Sequence, residues 1–203
     1  MLKVQSIFST IQGEGPHAGL PSVFIRLGGC NLSCSFCDTE FESFENLALD
    51  AIMQKVEEVS RGYKLNLAVI TGGEPFRQTI GPLCELLIQK GFDVQIESNG
   101  TLYQRIPLDA KVVCSPKISG KKYHKIHVDI LPHLIAYKFL ISADIENYDQ
   151  VPDLDIDKGL VYVQPMDQYD FHKNKANVEL AIEICQKKGY KLSCQIHKYI
   201  GIE

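Results

Sequence analysis

Val23-Phe24-Ile25-Arg26-Leu27-Gly28-Gly29-Cys30-Asn31-Leu32-Ser33-Cys34-Ser35-Phe36-Cys37-Asp38-Thr39 is an apolar run that passes through two glycines into three cysteines. The β-branched and aromatic residues of Val23 to Leu27 predict a strand, and the cysteines predict a thiolate-rich loop at its C-terminal end. Thiolates are soft ligands that suit zinc and iron–sulfur clusters. Such sites mostly take four protein ligands, whereas the C-x3-C-x2-C spacing supplies three. A structural zinc site would need a fourth ligand nearby. The candidates are Asp38, adjacent and acidic, and His17, the nearest histidine. An electron-carrying ferredoxin would bring all four cysteines. A [4Fe–4S] cluster held at three corners, with its fourth iron open to a non-protein ligand, fits the loop best.

Working outward, strands and helices alternate. Residues 1–20 read as an extended segment ending in the glycine-rich turn Gln12-Gly13-Glu14-Gly15-Pro16. Helices are predicted over 46–60, 79–90 and 174–188 from apolar residues at helical spacing, the last two stopped by Gly91 and Gly189. Further strands are predicted at Leu65–Ile70, Val94–Glu97, Lys111–Cys114, Ala136–Ile141 and Leu160–Val163, with a last extended segment at Leu192–His197. Residues 118–132 read as a basic loop in which helix is doubtful. The alternation argues for parallel βαβ units. A closed (β/α)8 barrel usually needs ~250 residues, so about six parallel strands in 203 residues predict an incomplete, open β/α barrel. In such folds chemistry sits at the C-terminal strand ends. The cysteine loop, Thr71-Gly72-Gly73-Glu74, Glu97-Ser98-Asn99-Gly100, Ser115-Pro116-Lys117 and Gln164-Pro165 all follow strands and are expected to converge on one rim.

Composition bounds the rest. A net charge of −4, from 21 basic and 25 acidic residues, demands no polyanionic partner. No basic-then-apolar leader is visible and no apolar run approaches the ~20 residues of a membrane span. The expected place is the cytoplasm, with no membrane and no nucleic-acid partner. The seven cysteines are an odd number, and Cys84, Cys114, Cys185 and Cys194 sit singly in apolar surroundings, where free core cysteine is the expectation. The chain is read as one domain over 1–203, with 1–20 an N-terminal extension and 190–203 a C-terminal tail.

The cysteine spacing with Phe36 before the third cysteine, followed by Gly72-Gly73-Glu74 after the next core strand, resembles the radical S-adenosylmethionine superfamily. Glycine at that turn lets the backbone approach a ligand closely. Gln12-Gly13-Glu14-Gly15, Phe24 to Leu32, Cys37-Asp38-Thr39, Thr71 to Pro75, Glu97 to Thr101, Ser115-Pro116-Lys117 and Gln195-Ile196-His197-Lys198 narrow the resemblance to the 7-carboxy-7-deazaguanine synthase family, over nearly the whole chain. The resemblance implies conversion of 6-carboxy-5,6,7,8-tetrahydropterin to 7-carboxy-7-deazaguanine, within queuosine and 7-deazapurine biosynthesis. A 5′-deoxyadenosyl radical takes the hydrogen at C6, the ring contracts and ammonia leaves. It further implies a [4Fe–4S] cluster on Cys30, Cys34 and Cys37, catalytic use of S-adenosylmethionine, and Mg2+ held through Thr39. Substrate would be bound by Ile11, Gln12, Gly13, Glu14, Arg26, Thr71 and Glu203. The cofactor would be bound by Phe36, Asp38, Gly73, Ser98, Ser115, Pro116, Lys117, Gln164 and Asp167. An external flavodoxin- or ferredoxin-like electron donor and a homodimer also follow from the family.

Each of these residues has a plainer role. Gly72-Gly73 alone would be an ordinary βα turn, Arg26 an ion-pair partner, Thr39 a cap, Glu14 a solvated turn residue, and Gln164 to Asp167 a simple turn. Lys121, Lys122 and Lys125 would form a solvated face. Among enzymes the rival is a glycyl-radical activating enzyme, which acts on a protein glycine. The rival outside enzymes is a structural or electron-transfer metal protein.

Overall fold

The computed structural model describes residues 1–152 and 157–202. In chain order the elements are β1 (Leu2–Ile11), β2 (Pro21–Leu27), β3 (Glu45–Leu47), α1 (Leu49–Ser60), β4 (Leu67–Gly72), α2 (Gly81–Gln89), β5 (Asp93–Ser98), β6 (Lys111–Cys114), β7 (Ile118–Ser119), β8 (Lys122–Tyr123), β9 (Leu134–Ile141), β10 (Val161–Pro165), α3 (Phe171–Lys188), β11 (Lys191–Leu192) and α4 (Ile196–Ile200). One sheet runs β11-β10-β9-β6-β5-β4-β2-β1-β3. The six strands from β2 to β10 pair parallel and follow chain order without reversal. A doubly wound sheet would reverse its order at a switch point. Continuous winding in one direction is barrel-like, and here the ring stays open because β2 pairs with antiparallel β1 and β10 with the two-residue β11.

The strands alternate strictly between two faces, as a period of two requires. Val23, Ile25, Leu27, Ala68, Ile70, Val94, Ile96, Val112, Cys114, Phe139, Ile141, Val161 and Val163 point outward and pack in one core with Ile52, Met53, Val56, Leu83, Leu87 and Ala181 of the three long helices. The opposite face, carrying Phe24, Arg26, Thr71, Glu97, Lys138, Leu140 and Gln164, lines a cavity.

Three expectations need correction. The predicted helix over 46–60 begins at Leu49, because residues 45–47 are spent pairing antiparallel with Leu2–Val4. The segment 118–132 holds a β7–β8 hairpin and enters a 3-10 helix, Val128–His133. The last extended segment, predicted over Leu192–His197, is strand only to Leu192. It then turns and becomes α4, whose start is fixed by a bond from the Ile196 amide to the Gly13 carbonyl (3.1 Å). No local periodicity announces so short a helix. Elsewhere α3 starts where the Asp170 side chain accepts from the Lys173 amide and stops at Gly189, which takes the left-handed conformation (φ 75°). Cys84 and Cys114 are buried as expected, and burial pushes both thiols up to about 12. Cys185 and Cys194 are only partly covered.

Candidate active site

The inward strand face and the loops at the C-terminal strand ends enclose a cavity of about 450 Å³. Ile11, Gln12, Glu14, Arg26, Phe36, Asp38, Thr39, Thr71, Gly73, Ser98, Ser115, Lys117, Gln164 and Asp167 line it, together with the three cysteines of the β2 loop. Pro116 and Gly13 are not on its wall. Glu203 lies outside the described residues.

The cysteine loop is held by its neighbours. The Arg77 guanidinium donates to the Cys30 carbonyl (2.6 Å), and the Gly29 amide to the Phe41 carbonyl (2.8 Å). Asn31 donates to Thr101 (2.8 Å) and accepts from Asn99 (3.0 Å), which ties the loop to the end of β5. Cys30 and Cys34 are half-buried and Cys37 is exposed; burial raises the first two thiols above their ordinary value. Among the described residues no three His, Cys, Asp or Glu side chains converge as a single ion requires. Three thiols on one loop, each free of a disulfide, are the donor set that three corners of a cluster take.

Gly72 and Gly73 have a concrete reason to be glycine. A Cβ on Gly73 would stand 2.0 Å from the Gly29 carbonyl oxygen, and one on Gly72 would stand 2.1 Å from that of Leu27, where φ is also +116°. The Gly73 amide donates to Leu27 and the Glu74 amide to Gly29, both at 3.0 Å. The glycine pair therefore stitches the end of β4 to the cysteine loop. Glu74 is fully buried, and its carboxylate accepts from the Phe76 amide (3.1 Å), the Ser98 hydroxyl (2.8 Å) and the Asn99 amide (2.8 Å). The ends of β4 and β5 are thus locked around one carboxylate, and the Glu74 amide ties them to the β2 loop. Beyond it, Lys117 donates to the carbonyl (2.7 Å) and hydroxyl (2.6 Å) of Ser115, and burial, with Lys138 nearby, lowers its pKa.

The floor comes from outside the parallel strands. Residues 12–20 fold into the open side, closed at their base by the Gln12 amide on the Leu20 carbonyl (2.8 Å) and the Gly19 amide on the Gln12 carbonyl (2.7 Å). Gln12, 2% exposed, donates to Glu97 (3.4 Å), and the Glu14 amide returns to the Gln12 side chain (3.1 Å). Glu14 pairs with Lys138, which also donates to Glu97 at 2.9 Å. Burial works to raise the Glu14 carboxyl, but the Lys138 charge and hydrogen bond, with Gln195 and His197 behind them, together outweigh it and hold it down at about 2. Arg26 lies over the Phe8 ring, 5.2 Å from its centroid.

Sequence reasoning passed over four residues that the cavity contains: Lys138, Glu97, His197 and Lys198. Glu97, His197 and Lys198 stood inside quoted motifs without a role, and a lysine flanked by apolar residues in a predicted strand was the available signal for Lys138. His197 explains the fate of Gly13. A Cβ there would stand 2.0 Å from the imidazole Nδ1, so this glycine seats the C-terminal segment. Lys198 then bridges Asp38 (3.3 Å) and Asp167 (2.8 Å), joining the cysteine loop, the β10 loop and α4.

Comparison with known proteins gives one family model, two relatives and one solved structure. The family model described as the radical SAM superfamily matches residues 24–114. The 7-carboxy-7-deazaguanine synthase of Rickettsia prowazekii (strain Madrid E) is 51% identical over all of this chain and 89% of its own. That of Escherichia coli (strain K12) is 33% identical over 98% of each chain. The crystal structure of QueE from Escherichia coli superposes with a TM-score of 0.73 at 29% identity, covering 96% of this chain and 93% of that one.

Proposed function

Because this chain belongs to the 7-carboxy-7-deazaguanine synthase family of radical S-adenosylmethionine enzymes, we propose that it converts 6-carboxy-5,6,7,8-tetrahydropterin to 7-carboxy-7-deazaguanine with loss of ammonia. The observation that carries this reading is the convergence on one cavity of the three-cysteine loop, the strand-end motifs and the Gln12–Glu14 segment. When bound, the cluster and S-adenosylmethionine supply the radical that takes a hydrogen atom from the substrate.

The chain's own residues then have distinct tasks. Cys30, Cys34 and Cys37 hold three corners of the cluster. Phe36, Asp38, Gly73, Ser98, Ser115, Pro116, Lys117, Gln164 and Asp167 flank the cofactor, with Pro116 acting from behind the wall. Arg26 offers a permanently charged fork to the substrate carboxylate. Thr39 gives a hydroxyl oxygen to Mg2+, which takes few ligands from protein and completes its shell with water and substrate. At the opposite end Gln12, Glu14 and Glu97 present acceptors to the amino and ring N–H groups of the pterin. Ile11 and Thr71 bound the ring from the side, and residue 203 would add its carboxylate. Residues 1–20 and 190–203 serve as substrate-binding parts of a single catalytic domain. An external flavodoxin- or ferredoxin-like donor, a homodimer and a cytoplasmic setting complete the proposal. Among the described residues no helix is long and apolar enough to cross a membrane.

The test is anaerobic reconstitution with iron and sulfide, then addition of reductant, Mg2+, S-adenosylmethionine and the carboxytetrahydropterin. A 7-deazaguanine product by mass and ultraviolet absorbance is expected, without matching consumption of S-adenosylmethionine. Absence of that product, together with glycyl-radical formation on a partner protein, would instead identify an activating enzyme. Bound zinc with no cluster would sink both.

A further inference from the structure

Lys138 stands on the inward face of β9, 6% exposed, with no task in the scheme above. Its ammonium serves two carboxylates from distant parts of the chain, Glu14 after β1 and Glu97 on β5. The same pair of acids takes three further side-chain bonds. Gln95 donates to Glu97 (2.7 Å), Gln12 also reaches Glu97 (3.4 Å), and Gln195 donates to Glu14 (2.8 Å). The other charged or titratable groups that face this cluster are Lys117 at the end of β6 and His197 on α4. Burial lowers the His197 pKa below its ordinary value, against the opposing pull of Glu14.

One cation would suffice to bury one carboxylate. Two acids on one ammonium leave a surplus negative charge facing the cavity. Ionised carboxylates are acceptors only, whereas a protonated one presents a donor. Two carboxylates crowded together without a cation share a proton. Resting on the pterin reading, we infer that Lys138 is a positioning residue. It fixes Glu14 and Glu97 side by side as an acceptor-only floor, which accepts the donor edge of an amino-substituted heterocycle and refuses an acceptor edge. Desolvation alone would drive Glu14 to bind a proton, and Lys138 is the first-ranked influence opposing it.

The test measures binding of the carboxytetrahydropterin anaerobically, without S-adenosylmethionine, between pH 6.5 and 8.5. It uses calorimetry in buffers of different ionisation enthalpy. The wild type and Lys138→Arg are expected to bind with no proton exchange from this pair. Lys138→Met should bind about tenfold or more weakly at pH 6.5, regain up to about tenfold per pH unit on alkalinisation, and release a proton on binding. Weakened binding with a flat pH profile and no proton release would leave Lys138 a mere structural pin and overturn the inference. A wild type that does not bind the pterin would refute the functional reading instead. Lys138 is then still testable by ligand-free carbon NMR of labelled glutamates. The Glu14 carboxylate of the wild type should stay ionised from pH 5 to 8. If it titrates within that window, or if Lys138→Met leaves it unchanged, the inference fails; the wild-type measurement stands even if the variant does not fold.

Discussion

Gly13→Ala separates two roles for one residue. Gly13 was expected to touch the substrate, yet the structure sets His197 against it, so an added Cβ would lie 2.0 Å from Nδ1 and 2.9 Å from the His197 amide nitrogen. Nothing in the backbone at residue 13 opposes alanine, since its φ is not among the positive ones. The C-terminal segment must therefore move. It would lose the Ile196 amide bond to Gly13 (3.1 Å), about 1 kcal/mol. It would also lose the Gln195 bond to the Glu14 carboxylate (2.8 Å), about 1.5 kcal/mol or more. The Lys198 pairs are partly solvated and add about 0–1 kcal/mol. About 3 kcal/mol in all corresponds to about a 100-fold rise in opening of this segment. Hydrogen exchange should report it: the Ile196 amide accelerates about 100-fold while amides of β4 and β5 do not change. α4 contributes no buried residue, so the global melting temperature should hardly shift. Unchanged Ile196 protection would refute the reasoning. If pterin affinity fell at the same time, Gly13 would be a ligand contact after all.

Three other outcomes are expected. Glu74→Ala strips acceptors from two amides and one hydroxyl, and after relief of the carboxyl's own burial should cost about 3 kcal/mol, lowering Tm by about 6–12 °C; a shift under about 2 °C contradicts the locking role. Thr39→Ala should weaken the magnesium dependence of the rate, and an identical magnesium titration would remove Thr39 from the metal site. The Glu14 carboxyl is held down at about 2, against about 4.5 for the unfolded chain, so its stabilisation is complete above the higher value and drains away as pH falls toward the lower. Acid denaturation of Glu14→Gln should accordingly be shallower between these limits, and superimposable curves would disprove it.

Much of the fold was legible because the strands carry unbroken apolar outer faces and the helices a 3.6-residue stripe. The six parallel strands and the rim follow from those patterns. Residues 45–47 and 196–200 were not legible because their conformation is decided by distant partners, β1 for the former and Gly13 for the latter. The site divides the same way. Motif residues at or just past strand ends, such as Thr71, Ser98 and Lys117, reached the cavity because strand ends converge by topology. Lys138 escaped notice because its value depends on two carboxylates 124 and 41 residues away. The glycines of the Gly-Gly-Glu turn line the cavity, and they also pack backbone on backbone against β2 and its loop, a close approach that no local pattern announces.

The open side of the sheet has a consequence for how such enzymes can diversify. The superfamily match stops at residue 114, the end of β6, and takes in the cysteine loop and the Gly-Gly-Glu lock. The 12–20 segment and α4 that close the gap lie outside it. The insert and the C-terminal strap therefore meet the matched half at one cavity, where Arg26, Thr71 and Glu97 of that half line the wall beside Gln12, Glu14, His197 and Lys198. A lineage could exchange the insert and the strap for others of different shape, and so adopt a new substrate, without disturbing a single ligand of the cluster.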